Sequence, residues 1–162
     1  MAAKSARSRP SDEDVRQAIE LLFFTYRDFT AGADAILATK NFGRAHHRVI
    51  YFVGRHTGMA VNELLSILGI TKQSLSRVLG QLIREGYVLQ KQGARDRRQR
   101  LLELTAKGRE LEKLLTTEQR ARIAMAYKAA SATSIAGFRE VMMGIMNDET
   151  RRRFASAPFK VE

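Results

Sequence analysis

Lys72, Gln73, Ser74, Ser76 and Arg77 crowd into one short stretch and combine compact hydrogen-bonding side chains with cations. Groups of this kind pair with base edges in a groove and with phosphate oxygens. A second set, Arg95, Arg97, Arg98 and Arg100, follows in QGARDRRQR. Arginines so close together repel one another in the free chain, and a polyanion relieves that repulsion. Asp96 is the single acid among them, placed to pair with Arg98 and hold it extended. Taken alone, the first set reads more plainly as the solvated face of a surface helix. The elements that carry the two sets change that balance.

The first set sits on TKQSLSRVLGQLIREG, residues 71–86. Thr71 supplies a capping oxygen for the first turn. Leu75, Val78, Leu79 and Leu82 recur at spacings of three and four, which gives one apolar helical face opposite the polar one. Gly86 provides a stop. Just before it, Val61, Leu64, Leu65 and Leu68 predict a short helix closed by Gly69. Ala60 offers no capping oxygen at its start, so that start is expected to fray. Two short helices joined by Gly-Ile-Thr form a helix-turn-helix. After Gly86, Tyr87, Val88 and Leu89 are β-prone, as are Leu101, Leu102 and Leu104, with Gly93 as the turn residue between. The arginine set therefore lies at the tip of a β-hairpin that follows the second helix. That order is a winged helix.

The rest of the chain bounds the reading. Its 162 residues suffice for one domain with a core, or one domain with an extension. A net charge of +11 favours nucleic acid as a partner, with an anionic membrane surface second. No cysteine is present, which removes disulfides and thiolate chemistry. No apolar run suggests a membrane span, and MAAKSARSRP reads as a flexible basic arm rather than a secretory signal, so a cytoplasmic protein is expected. Ser11, followed by three acids, starts a helix with a wide apolar stripe through Val15, Ile19, Leu22, Phe23, Tyr26 and Phe29. Gly32 is expected to end it, with Asp34 capping a further short piece. GRAHHRVIYFVGRH predicts a buried second helix with Ala45, Val49, Ile50, Phe52 and Val53 inward. Adjacent His46 and His47 point about 100° apart on a helix and do not readily share a metal. They read as partly exposed residues at a packing interface, with a small-molecule pocket as the alternative. No metal site and no cofactor is expected.

Thr105 caps a long helix whose inner face is set by Leu111, Leu114 and Leu115, with Gly108 tolerated early in it. After a polar break at Ser131 to Ser134, Phe138, Val141, Met142 and Ile145 mark a last amphipathic helix, and Asp148 begins a short charged continuation. Terminal helices with surplus apolar faces are most simply used to pair two chains. Val15, Ile19, Leu22, Phe23, Phe138, Val141, Met142 and Ile145 are the residues expected between them. No paired carboxylates, nucleophile motif or phosphate-binding Gly-rich loop supports an enzyme.

With these features together, the sequence resembles the MarR family of bacterial transcription regulators. Asp96, Arg98, Leu104 and Thr105 fit the family's wing pattern D-x-R-x-x-x-x-x-L-T, in register with ELLSILGITKQSLSRVLGQLIREGYV at 63–88. The resemblance implies a mainly α fold with a small β-hairpin wing. It divides the chain into a basic arm at 1–10, an N-terminal dimerisation helix and connector at 11–42, a winged helix-turn-helix lobe at 43–104 and C-terminal dimerisation helices at 105–162. It implies a homodimer on palindromic double-stranded DNA, with recognition helices in major grooves and wing arginines in the flanking minor grooves. It also implies a small aromatic effector near the junction of lobe and dimer helices, where Tyr26, Phe29, His46 and His47 are the candidates. The expected function is a sequence-specific transcriptional regulator, a repressor first. The alternative is a non-specific or architectural nucleic-acid-binding protein.

Overall fold

A computed structural model describes residues 9–94 and 96–155. Most of the basic arm expected at 1–10 lies outside the described residues, as does Arg95. The chain divides into two compact units between Arg120 and Ala121. The first carries α1 (Asp12–Ala38), α2 (Arg44–Arg55), β1 (Met59–Ala60), α3 (Val61–Leu68), α4 (Lys72–Arg84), β2 (Val88–Gln92), β3 (Arg100–Leu104) and the start of α5 (Ala106–Ala129). The second holds the rest of α5, then α6 (Ala132–Ile145) and α7 (Asp148–Ala155). The fold is thus mainly helical with a small antiparallel sheet, as the residue pattern predicts.

The starts of α1, α4, α5 and α6 are capped by a local side chain. Ser11 and Asp14 form a reciprocal capping box: the Asp14 amide donates to Ser11 Oγ at 3.1 Å and the Ser11 amide to Asp14 Oδ2 at 2.8 Å. Thr71 Oγ1 accepts from the Ser74 amide at 3.2 Å, and Ser131 Oγ from the Ser134 amide at 3.0 Å. Thr105 Oγ1 accepts from the Gly108 amide at 3.0 Å. Gly69 closes α3 at φ +60° and Gly86 follows α4 at φ +75°, a conformation that costs a residue with a Cβ about 1 kcal/mol or more.

The core of the first unit gathers α2, α3, α4 and the sheet. Leu37, Val49, Ile50, Val53, Leu64, Leu82 and Leu102 are fully buried, and Leu75, Val88 and Leu115 nearly so. Removing any of these leucine side chains typically costs about 2–5 kcal/mol. β2 buries only Val88 and then leaves the core as the wing, whereas β3 keeps Leu102 and Leu104 inward on alternate positions.

Several expectations are corrected. Gly32 does not end α1, which runs on to Ala38. It lies where the Glu118 carboxylate approaches the helix, and a Cβ there would collide with it. Asp34 therefore sits inside α1 and caps nothing; its carboxylate pairs with Arg44 at 2.7 Å. The hairpin is the larger part of a three-stranded sheet of order β1-β3-β2, in which Met59 pairs with Leu102 and Ala60 with Leu101. A two-residue strand is too short to show a period, but it anchors the start of α3 in place of a capping oxygen. Leu114 is 53% exposed, and buried Thr116 takes the inward place beside Leu115. Gly108 is required by packing: a Cβ there would stand 2.1 Å from the Tyr87 carbonyl oxygen.

Candidate nucleic-acid interface

The apolar face of α4 is sunk into the core through Leu75, Val78, Leu79 and Leu82. That leaves Lys72, Gln73, Ser74, Ser76 and Arg77 exposed. Ser74 is partly engaged, because its Oγ accepts from Thr71 Oγ1 at 3.0 Å. The others carry no internal partner among the described residues. The C-terminal end of α4 is tied to α5. Thr105 Oγ1 donates to the Gly86 carbonyl at 2.7 Å, and Lys107 Nζ donates to the Glu85 carbonyl at 2.8 Å while lying 4.2 Å over the Tyr87 ring. These contacts satisfy carbonyls that the end of α4 would otherwise leave orphaned.

The wing is built by register. Gln92 pairs with Arg100, the Gly93 amide donates to the Gln99 carbonyl at 3.1 Å, and the Gln99 amide donates to the Asp96 carbonyl at 3.1 Å. Lys91 and Glu103 form a diagonal ion pair across the strands. Asp96 acts otherwise than its charge suggests. Its Oδ1 accepts the backbone amide of Arg98 at 2.9 Å, so it shapes the turn rather than pairing with the Arg98 guanidinium. Arg97, Arg98 and Arg100 are exposed.

Helix and wing meet around one groove of about 660 Å³. Lys72 and Ser76 line it from α4, and Asp96, Arg98 and Arg100 from the wing. Gln73, Ser74 and Arg77 fall outside the groove, on the flank of α4 that faces solvent. Asn62, Gln90 and Gln99 also line the groove and were not singled out in the sequence. Asn62 and Gln90 carry no periodic or charge signal, Gln99 is overshadowed by the arginines on either side of it, and only the fold assembles the three.

The four effector candidates separate. Tyr26 lies under Arg44, whose guanidinium is 5.2 Å from the ring centroid, and its hydroxyl accepts from Arg48 Nη2 at 2.9 Å. Arg44 also grips Asp34 through Nε and Nη2. Hydrogen bonding from Arg44 holds the Asp34 carboxyl below the usual range, against its partial burial. Burial holds His47 below the usual histidine range, with an opposing pull from Asp34 and a further push from Arg48. His46 turns the other way, onto Phe42 and α4. Phe29 is half-buried, and its carbonyl accepts from Gln119 Nε2 at 3.2 Å. Among the described residues no cluster of three His, Cys, Asp or Glu is placed to hold a metal. No helix among them is long and apolar enough to cross a membrane.

The apolar stripes at the two ends are uncovered in the single chain. On α1, Val15, Ile19, Leu22 and Phe23 are exposed, Phe23 to 62%; on α6, Phe138, Val141 and Ile145 are exposed and Met142 half-buried.

A sequence model of the MarR family matches residues 40–99, which hold α2, the helix-turn-helix and the first strand and tip of the wing. The HTH-type transcriptional regulator PetP of Rhodobacter capsulatus is 49% identical over 144 residues, which cover 89% of this chain and 87% of that protein. The chain belongs to the MarR family. At that level its function is transcriptional regulation through DNA binding. Solved structures of MarR-type regulators share the fold at lower identity. Streptococcus pneumoniae FabT in complex with DNA superposes with a TM-score of 0.70 at 21% identity, over 82% of this chain and 94% of its own. Staphylococcus aureus MarR in complex with salicylate and kanamycin gives 0.65 at 21%, over 83% and 91%.

Proposed function

We propose that this MarR-family regulator is a homodimeric repressor that recognises a palindromic operator. In this reading α4 reads bases and the wing holds phosphate or the minor groove. The observation that carries it is the groove where Lys72 and Ser76 of α4 face Arg98 and Arg100 of the wing. One concave, cationic surface with a polar helix on one wall suits a duplex whose backbone and base edges lie side by side. Gln73 and Arg77, free on the outer flank of α4, are the side chains best suited to bidentate base contacts. Thr71 and Ser74, at the helix start, suit a phosphate. Arg97 adds to the field of the wing tip. The DNA-bound FabT neighbour supports the same use of the fold.

The uncovered stripes of α1 and α6 support pairing of two chains through the helices at 11–42 and 105–162, with the 43–104 lobe delivered to DNA. Exposed phenylalanines at this density are costly for a chain that stays single. A small aromatic effector is a further element of the proposal. The salicylate-bound neighbour supports it, and Tyr26 with His47 and the half-buried Phe29 is the more suitable set, since His46 is already engaged. Binding there would release DNA only if the ligand favours one spacing of the recognition helices.

The test selects an operator from random DNA, then measures affinity for operator and random duplexes across a salt series. Gln73→Ala or Arg77→Ala should lose about 1–3 kcal/mol on the operator and much less on random DNA. Arg98→Ala should weaken both and flatten the salt slope by about one phosphate contact. Equal losses on both duplexes for all three variants would make α4 a phosphate clamp and the protein an architectural one.

A further inference from the structure

His46 forms the centre of a hydrogen-bond chain that runs from the start of α2 to the far half of α4. The Gly43 amide donates to His46 Nδ1 at 3.1 Å. A ring nitrogen that accepts from an amide carries no hydrogen, so in the neutral ring the hydrogen is on Nε2. His46 Nε2 lies 2.9 Å from Gln81 Oε1 and donates to it. The Gln81 amide nitrogen then faces Glu85 and donates to its Oε1 at 2.9 Å. Each link fixes the polarity of the next, so tautomer and amide orientation agree throughout. The ring is held flat against buried Phe42, with centroids 4.7 Å apart and planes 11° apart, and Phe42 in turn meets the Tyr87 ring edge-on.

We propose that His46 is a positioning residue for DNA reading: through Gln81 it sets the rotation of α4 about its own axis. This deepens the proposed function and rests on α4 reading bases. Gln73, Arg77 and Gln81 are spaced four apart and fall on one stripe of the helix. The packed apolar face and the ties at its C-terminal end fix α4 in the core, and the contact at Gln81 adds a directional restraint on its polar flank. Side-chain tips lie roughly 6 Å from a helix axis, so a roll of about 20° moves them by about 2 Å. A base contact tolerates only a few tenths of an ångström. A lateral polar tie on the same stripe as the reading residues prevents that roll. His46 sits 35 residues from Gln81 in the chain, on an element that reads no bases, and Gln81 is its hydrogen-bonding link to α4.

The two histidine nitrogens can be tested separately in the full-length protein. His46→Asn keeps an acceptor near the Nδ1 position for Gly43 but no longer reaches Gln81. His46→Gln keeps the reach to Gln81 and gives up Gly43. Affinities for the selected operator and for a random duplex are measured at one salt concentration, with Gln73→Ala and Arg77→Ala as references and melting temperatures for every variant. His46→Asn and Gln81→Leu should each lower the operator-to-random ratio by about threefold to tenfold, the effect of one ordinary hydrogen bond. The double variant should be no worse than either single one, and His46→Gln should stay near wild type. Random-duplex affinity should not move. The strut is refuted if Asn and Gln behave alike, if the two single losses multiply, or if the variants lower melting temperature and leave the ratio intact. If the references also leave the ratio unchanged, α4 does not read bases and both readings fall; if only the strut variants leave it unchanged, the strut alone falls.

Discussion

Asp96 gives a test in which two physical effects have opposite signs. It is an acid within a cationic wing, so a pure charge argument says that removing it strengthens DNA binding. One extra positive charge about 10 Å from a phosphate is worth about 0.4 kcal/mol in water, and less at physiological salt. Asp96 Oδ1 also accepts the Arg98 amide at 2.9 Å and so fixes the turn from which Arg98 projects. Losing that bond leaves Arg98 to be ordered when DNA binds, at a cost of about 1 kcal/mol. The difference predicts that Asp96→Ala binds about threefold more weakly, although the net charge rises. Asp96→Asn separates the two effects, because an amide oxygen still accepts from Arg98 while the charge is gone. It should bind up to about twofold more tightly than wild type. Fluorescence anisotropy with an operator duplex at several salt concentrations reads both values. Tighter binding by Asp96→Ala, matching Asp96→Asn, would show that the turn needs no help from this side chain.

Gly108→Ala gains about 1 kcal/mol of helix propensity but drives a methyl to 2.1 Å from the Tyr87 carbonyl oxygen, which also accepts the Thr105 amide. Overpacking and the disturbed bond outweigh the gain, so a loss of about 2 kcal/mol is expected in urea unfolding; an unchanged midpoint would contradict the close approach. His47 is held neutral by burial, so the unfolded chain takes the proton first and stability should fall as pH drops below about 6.5 through the depressed folded value. His47→Leu should flatten that fall between pH 7 and pH 5 in thermal melts, and an unaltered pH profile would place the titration elsewhere. Phe138→Asp puts a charge on the exposed α6 stripe and should convert a dimer to monomer in sedimentation at micromolar concentration, with loss of operator binding. A wild-type chain that sediments as a monomer would remove the need for that interface.

Much of the fold was legible because its signals are local. Leu75, Val78, Leu79 and Leu82 repeat at the helical period, Thr71 caps and Gly86 stops, and these choices agree within one segment. The wing was legible for the same reason, as two β-prone runs around Gly93. The sequence by itself also determined the cationic character of the groove, since charge is carried by composition. Tertiary structure decided what depends on neighbours far along the chain. β1 exists only because β3 is there to pair with it, and Gly108 is a glycine because the Tyr87 backbone approaches it. Asp34 looked like a cap because its type fits one, yet Arg44 claims its carboxylate. Asp96 looked like an ion-pair partner, but in so short a turn a backbone amide lies closer than a flexible guanidinium. His46 and His47 are chemically alike and adjacent, and the helix alone turns them apart. Only packing decided that His46 meets Phe42 and Gln81 while His47 is half-buried within reach of Asp34. Periodicity tells which side of a helix is apolar; which polar group meets which is set by where other elements come to rest.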